Sequence, residues 1–221
     1  MRMDMKQNYF VEYVPNAYIN LCVDKNQQRA NNQLIYDFKA GKPAATRFCG
    51  ELLISYLTRQ YGSLLDDFVV VFAPCSAQWK YNKRFGYLAA MLNKAGIKTA
   101  NEHVRIYGER KPTHNGGSHH VSEDIYHVSV DSSYFAGKNV ILFDDLLTSG
   151  QTITEFKEQL EAAGAYIDRE IFVGRTVHHC PISKRGVLQE MAEGFYEAVA
   201  ASKRCFSQGI NNINNNINKA A

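Results

Sequence analysis

Apolar and polar positions come in short blocks along this chain, and the period of each block predicts its element. Residues 140–143, Val-Ile-Leu-Phe, are a continuous apolar run suited to a strand buried on both faces. Residues 68–73 form a second such run, closed by Pro74. Phe48, Leu52, Leu53, Tyr56 and Leu57 recur at helical spacing and predict an amphipathic helix ending near Gly62. Phe85, Leu88, Ala89 and Leu92 predict another, ending at Gly96. A polar helix is expected over about residues 27–38. Further strands are expected near residues 102–107, 125–130 and 167–173. A helix should carry Ile153, Phe156, Leu160 and Ala163, and a C-terminal helix Leu188, Met191, Phe195 and Val199. Over residues 9–23, aromatic, apolar and polar residues alternate around Pro15-Asn16, which suggests a hairpin or two short strands. Strands alternating with helices imply an α/β fold whose mostly parallel central sheet is flanked by helices.

The chemistry follows the strand at 140–143. Asp144 and Asp145 sit where that strand ends, at the carboxyl rim where open α/β sheets bind ligands. Thr148, Ser149, Gly150, Gln151 and Thr152 then supply hydroxyls and backbone N–H groups at a helix start, where unpaired donors and the helix dipole favour a phosphate. Gly150 allows close backbone approach. Acids followed by such a loop suit a phosphorylated sugar. Neither G-x-x-x-x-G-K-[ST] nor G-x-G-x-x-G occurs in the chain. Beside the other apolar run, the loop at Cys75 and Ser76 is followed closely by Lys80, Lys83 and Arg84, three cations able to neutralise a diphosphate.

The run Phe143-Asp144-Asp145-Leu146-Leu147-Thr148-Ser149-Gly150-Gln151-Thr152 resembles the signature of the type I phosphoribosyltransferases. That resemblance implies their Rossmann-like fold, with a mobile active-site loop and a small hood. It also implies transfer of a phosphoribosyl group from phosphoribosyl pyrophosphate (PRPP) to a nitrogenous, nucleobase-like acceptor, with release of pyrophosphate. Asp144 and Asp145 would be the catalytic acids holding the ribose hydroxyls, and Thr148 to Thr152 the cradle of the 5-phosphate. Cys75 and Ser76, with Lys80, Lys83 and Arg84, would face pyrophosphate. Arg110 and Lys111 would reach it from the polar segment 105–124, which lies where the family carries its flap. Mg2+ is the implied cofactor, held by Asp144 and Asp145 largely through PRPP and water. The acceptor would meet a hood drawn from residues 9–23 and 175–182, with Arg175, Tyr13 and Tyr18 as candidates.

Four places resemble the ComF-type branch of that family. They are Phe38-Lys39-Ala40-Gly41, Arg84-Phe85-Gly86 with Leu88-Ala89, the signature run, and Val173-Gly174-Arg175-Thr176. The chain departs from that branch in having no cysteine-rich ribbon ahead of the domain and Ala73-Pro74-Cys75 where Pro-Val-Pro is usual. Two alternatives stay open: a PRPP- or nucleotide-sensing protein without turnover, and a ComF-like factor in DNA uptake or metabolism.

Composition narrows this further. At 221 residues one domain is expected, divided as an N-terminal hood or hairpin at 1–26, a phosphoribosyltransferase domain at 27–206 and an Asn-rich tail at 207–221. The net charge of +3 argues against direct nucleic-acid binding, leaving PRPP and a small-molecule acceptor as partners and a homodimer open. Five scattered cysteines without a C-x-x-C pair read as reduced thiols, and Cys75 as a small loop residue rather than a nucleophile. His114, His119, His120 and the His178-His179-Cys180 run read as solvated rather than zinc-binding. With no signal peptide and no membrane-length apolar run, a cytoplasmic protein is expected.

Overall fold

The structure, a computed structural model, describes residues 8–22, 24–110 and 126–177. Both continuous apolar runs are buried strands, β2 (Phe68–Phe72) and β5 (Asn139–Leu147), and they pair in parallel from Phe68 opposite Asn139 to Phe72 opposite Phe143. With β1 (Tyr9–Tyr13) and β6 (Tyr166–Thr176) they form a four-stranded, all-parallel sheet in the order β1-β6-β5-β2. A single parallel bridge between Val70 and Thr99 extends the β2 edge. β3 (Val104–Tyr107) and β4 (His127–Val130) make a separate antiparallel pair.

The helices begin and end where local chemistry directs. α1 (Lys25–Lys39) starts at Asp24, whose carboxylate accepts from the Gln27 N–H at 2.9 Å. α2 (Pro43–Tyr61) has proline in its first turn and stops at Gly62. α3 (Gln78–Lys94) and α5 (Gln151–Ala162) bury the apolar stripes seen in the sequence. A short α4 (Ser132–Phe135) is capped by Asp131. Where α1 and α3 meet the sheet, Phe38, Phe72, Phe85 and Phe143 pack together, with the Phe72 and Phe85 rings stacked at 4.7 Å and the Phe38 and Phe143 rings 6.0 Å apart. All four are fully buried, and truncating one such ring to alanine typically costs about 3–5 kcal/mol. This cluster is the floor beneath the acids of β5.

The N-terminal segment departs from expectation. The described residues 9–22 form no hairpin: β1 pairs in parallel with β6, and a 3-10 turn, Asn16–Leu21, follows it. The reason lies in α1. Asn32 accepts from the Val14 N–H at 3.2 Å and donates to the Val14 carbonyl at 2.6 Å, and Gln28 donates to the Glu12 carbonyl at 2.9 Å. These amides take the backbone groups that a returning strand would need. β6 also runs three residues past its expected end, alongside the whole of β5. No described helix is long and apolar enough to cross a membrane. The expected C-terminal helix, the Asn-rich tail, Lys111, most of the expected flap and the loop histidines lie outside the described residues.

Candidate functional site

Because β2 and β5 are parallel neighbours, the loops after them open on one rim of the sheet. Pairing on the β2 side stops at Phe143, whose carbonyl takes a last bond from the Ala73 N–H at 2.9 Å. On the β6 side it continues to Leu147 opposite Arg175. Asp144 and Asp145 thus stand at the rim on a strand secured from one side.

The two acids meet different surroundings. Asp145 is 5 % exposed and both its oxygens are engaged. The Lys39 ammonium lies 3.3 Å from Oδ1, and the Arg84 guanidinium donates to Oδ2. Arg84 Nε also donates to the Lys39 carbonyl at 3.3 Å, which closes the cluster. Gly41 makes this meeting possible. Its φ of +67° is open to glycine, and an added Cβ would lie 2.5 Å from the Lys83 carbonyl oxygen, so the α1–α2 turn can press against α3. Asp144 is partly buried, and its Oδ1 accepts from the Asp145 N–H at 2.7 Å. Burial, and then the neighbouring Asp145 charge, raise its pKa well above the ordinary carboxylate value. No partner for its other oxygen occurs among the described residues.

At the loop after β5, Thr148 and Ser149 are exposed and Gly150 caps α5 in the left-handed region, with φ +80°. The helix has no side-chain cap at Gly150, so the first-turn N–H groups after Gln151 are left to an anion. Ser149 Oγ accepts from the Gln151 N–H at 3.4 Å. The Gln151 side chain turns along the helix to Glu155 at 2.8 Å, and Thr152 is half-buried.

The loop after β2 is more enclosed than its sequence suggests. Cys75 is buried and its thiol is pushed up to about 12 by that burial, so it is not a nucleophile and offers a ligand backbone atoms only. Its carbonyl accepts from the Tyr126 hydroxyl at 3.0 Å. Ser76 Oγ accepts from Lys80 Nζ at 3.0 Å, and the same ammonium is 2.6 Å from Glu109. The Ser76 carbonyl takes the Arg110 N–H at 2.8 Å, and the Arg110 guanidinium lies 5.2 Å from the centre of the Tyr126 ring. Lys80, Ser76 and Arg110 are thus brought together. Arg84 is directed to Asp145 instead, and Lys83 is exposed with its stem against the Gly41 turn. Arg175 is exposed beside the start of the Thr148 loop, 5.9 Å from the centre of the Tyr9 ring. Tyr13 shares a 2.7 Å hydrogen bond with the Tyr36 hydroxyl, and Tyr18 lies in the 3-10 turn.

Sequence motifs assign Lys39 no site role, although it lies in the Phe38-Lys39-Ala40-Gly41 segment. The Gly41-Lys42-Pro43 break is a local signal for the turn, but the contact of Lys39 with Asp145 depends on how that turn packs on α3, which no local pattern encodes.

No protein-family model and no curated protein matches the sequence. Among solved structures, the fold is similar to adenine phosphoribosyltransferase from Saccharomyces cerevisiae, at 16% identity and a TM-score of 0.39 over 61% of this chain and 70% of that one. It is similar to an APRTase from Giardia lamblia at 17% identity and a TM-score of 0.40, over 62% of this chain and 82% of that one. Orotate phosphoribosyltransferase from Aeropyrum pernix is a third, at 14% identity and a TM-score of 0.34 over 64% and 65% of the two chains.

Proposed function

We propose that the chain binds PRPP at the carboxyl ends of β2 and β5 and transfers its phosphoribosyl group to a nitrogenous, nucleobase-like acceptor. The observation that carries this reading is the parallel pairing of β2 with β5. It sets a hydroxyl-rich loop that opens a helix beside the Ser76 loop, which leads into α3 and its Lys80, with two carboxylates near the end of β5. PRPP has the same order of parts: a phosphate at one end, a diphosphate at the other, and ribose hydroxyls between them.

In the transfer, the bond from C1 of the ribose to pyrophosphate breaks and its electron pair leaves with pyrophosphate. The acceptor nitrogen forms the new bond to C1 and gives up its proton. Asp144 fits the proton acceptor, since its raised pKa and its oxygen without a partner among the described residues suit it to hold a proton. Asp145, held by Lys39 and Arg84, fits a fixed negative charge facing the cationic sugar that develops. The backbone and hydroxyls of Thr148 to Thr152 anchor the 5-phosphate, so that remote binding energy positions C1. Arg175, beside Tyr9, fits a contact to the acceptor.

Magnesium suits this donor set as a shared ion rather than a caged one. No group of three His, Cys, Asp or Glu side chains able to hold a metal occurs among the described residues, and Asp144 and Asp145 would meet the ion largely through PRPP and water, which leaves the Asp144 oxygen open to a proton. When bound, the ion would neutralise charge on the departing pyrophosphate.

A second reading, PRPP sensing without turnover, is favoured by one observation. Asp145 and Arg84 satisfy each other's charge inside the protein, which leaves fewer groups for the reacting centre. The deciding experiment incubates the protein with PRPP, magnesium and a panel of nucleobases, following pyrophosphate release alongside calorimetric PRPP binding. Release supports the transferase and binding without release supports the sensor. Neither binding nor release would overturn both.

A further inference from the structure

We infer, resting on the PRPP reading above, that Glu109 is a built-in competitor for the anion site at the Cys75–Ser76 loop: its carboxylate holds Lys80, and a diphosphate must displace it to bind. Lys80 lies in the first turn of α3, with its ammonium 3.0 Å from Ser76 Oγ and 2.6 Å from Glu109 Oε1. A carboxylate therefore already stands where the loop and its cation would meet an anion.

Glu109 is held to this position by its surroundings. The next residue, Arg110, donates its backbone N–H to the Ser76 carbonyl at 2.8 Å. Ile106, on β3, donates its N–H to the Gln78 side chain at 2.8 Å, and Tyr126, just before β4, donates to the Cys75 carbonyl at 3.0 Å. Both arms of the β3–β4 pair are thereby tied to the loop, and the Lys80–Glu109 ion pair is the tie that an anionic ligand would attack directly. The Lys80 and Glu109 side chains are 30% and 52% exposed, so the pair is weakened by solvent and should yield to a ligand carrying several charges. A singly charged anion, which brings no more charge than the carboxylate it replaces, has little advantage. The competitor thus favours diphosphate over simple anions and couples diphosphate binding to release of one tie on the β3–β4 arms.

The chain carries its own reporter. Trp79 is its only tryptophan, and Lys80 Nζ lies 5.2 Å from the centre of the ring. Movement of the ammonium toward a ligand should change Trp79 emission.

The test titrates inorganic pyrophosphate, with and without magnesium, and separately PRPP, into the full chain, following Trp79 fluorescence with calorimetry in parallel. Glu109→Ala should tighten pyrophosphate binding about 2- to 5-fold, the range of an exposed ion pair. In a Lys80→Met background the same substitution should change nothing, because there is no cation left to compete for. Wild type that binds pyrophosphate with an affinity unaltered or weakened by Glu109→Ala overturns the competitor role while leaving the PRPP reading intact. A tightening that persists in the Lys80→Met background also overturns it. Wild type that binds neither pyrophosphate nor PRPP removes the PRPP reading itself.

Discussion

Arg84 on α3 donates its guanidinium to the Asp145 carboxylate near the end of β5, tying the helix after one core strand to the acid pair of its neighbour. Lys39 adds a second cation from the end of α1. Two helices and a strand are therefore fastened at the rim by one buried carboxylate, immediately above the Phe38, Phe72, Phe85 and Phe143 cluster. The fastening leaves the adjacent Asp144 as the acid whose charge is least compensated.

Breaking that contact should be costly. Arg84→Ala leaves Asp145 with only the more exposed Lys39, and loss of one partner from a buried pair typically costs about 3–5 kcal/mol. With Lys39 remaining, the lower end, about 3 kcal/mol, is expected in urea unfolding. Arg84→Met combined with Asp145→Asn should cost less than the two single losses added together, because no uncompensated charge remains. A loss below about 0.5 kcal/mol for Arg84→Ala would mean that solvent screens the pair after all.

Asp144 should impose a pH-dependent penalty on folding. Its pKa is raised in the folded protein, chiefly by burial and next by Asp145, so the folded state binds the proton more tightly than the unfolded chain does. Stability from this group is greatest at acidic pH and declines as pH rises from the ordinary carboxylate range through the raised value. Asp144→Asn keeps an oxygen for the Asp145 N–H and removes the ionisation. The variant should gain about 1–2 kcal/mol at pH 8, with the gain vanishing near pH 4. An equal effect at both pH values would show that Asp144 titrates normally.

Gly150 is required by its backbone. At φ +80° an alanine would cost about 1–2 kcal/mol and would disturb the loop that opens α5. Gly150→Ala should lower the melting temperature and weaken PRPP binding more than Ser149→Ala, whose side chain is exposed. Calorimetry on both variants checks this, and equal PRPP affinity in the two would place the phosphate elsewhere.

Cys75 should be chemically silent. Burial protects the thiol and pushes its pKa up to about 12, so alkylation of the native protein followed by peptide mapping should leave Cys75 unlabelled until denaturant is added. Cys49, buried in α2 and likewise pushed up to about 12, should behave in the same way. Rapid labelling of Cys75 under native conditions would show that the loop after β2 opens.

The sequence by itself determined the elements whose cause is local. The continuous apolar runs located β2 and β5, the helical spacing of Phe85, Leu88 and Leu92 located α3, and Gly62 ended α2, because burial periodicity and caps act within a few residues. The succession of acids, hydroxyls and helix start after β5 was legible for the same reason. Tertiary structure alone decided which strand β1 joins, that Arg84 turns to Asp145, that Lys39 belongs to the same cluster, and that Glu109 rests on Lys80. These contacts link residues far apart in the chain, 61 positions for Arg84 and Asp145 and 29 for Lys80 and Glu109. Charge and pattern show that an arginine needs an acid. Which acid it meets depends on how α1, the Gly41 turn and α3 close over the sheet, and that is a property of the packed chain rather than of any segment of it.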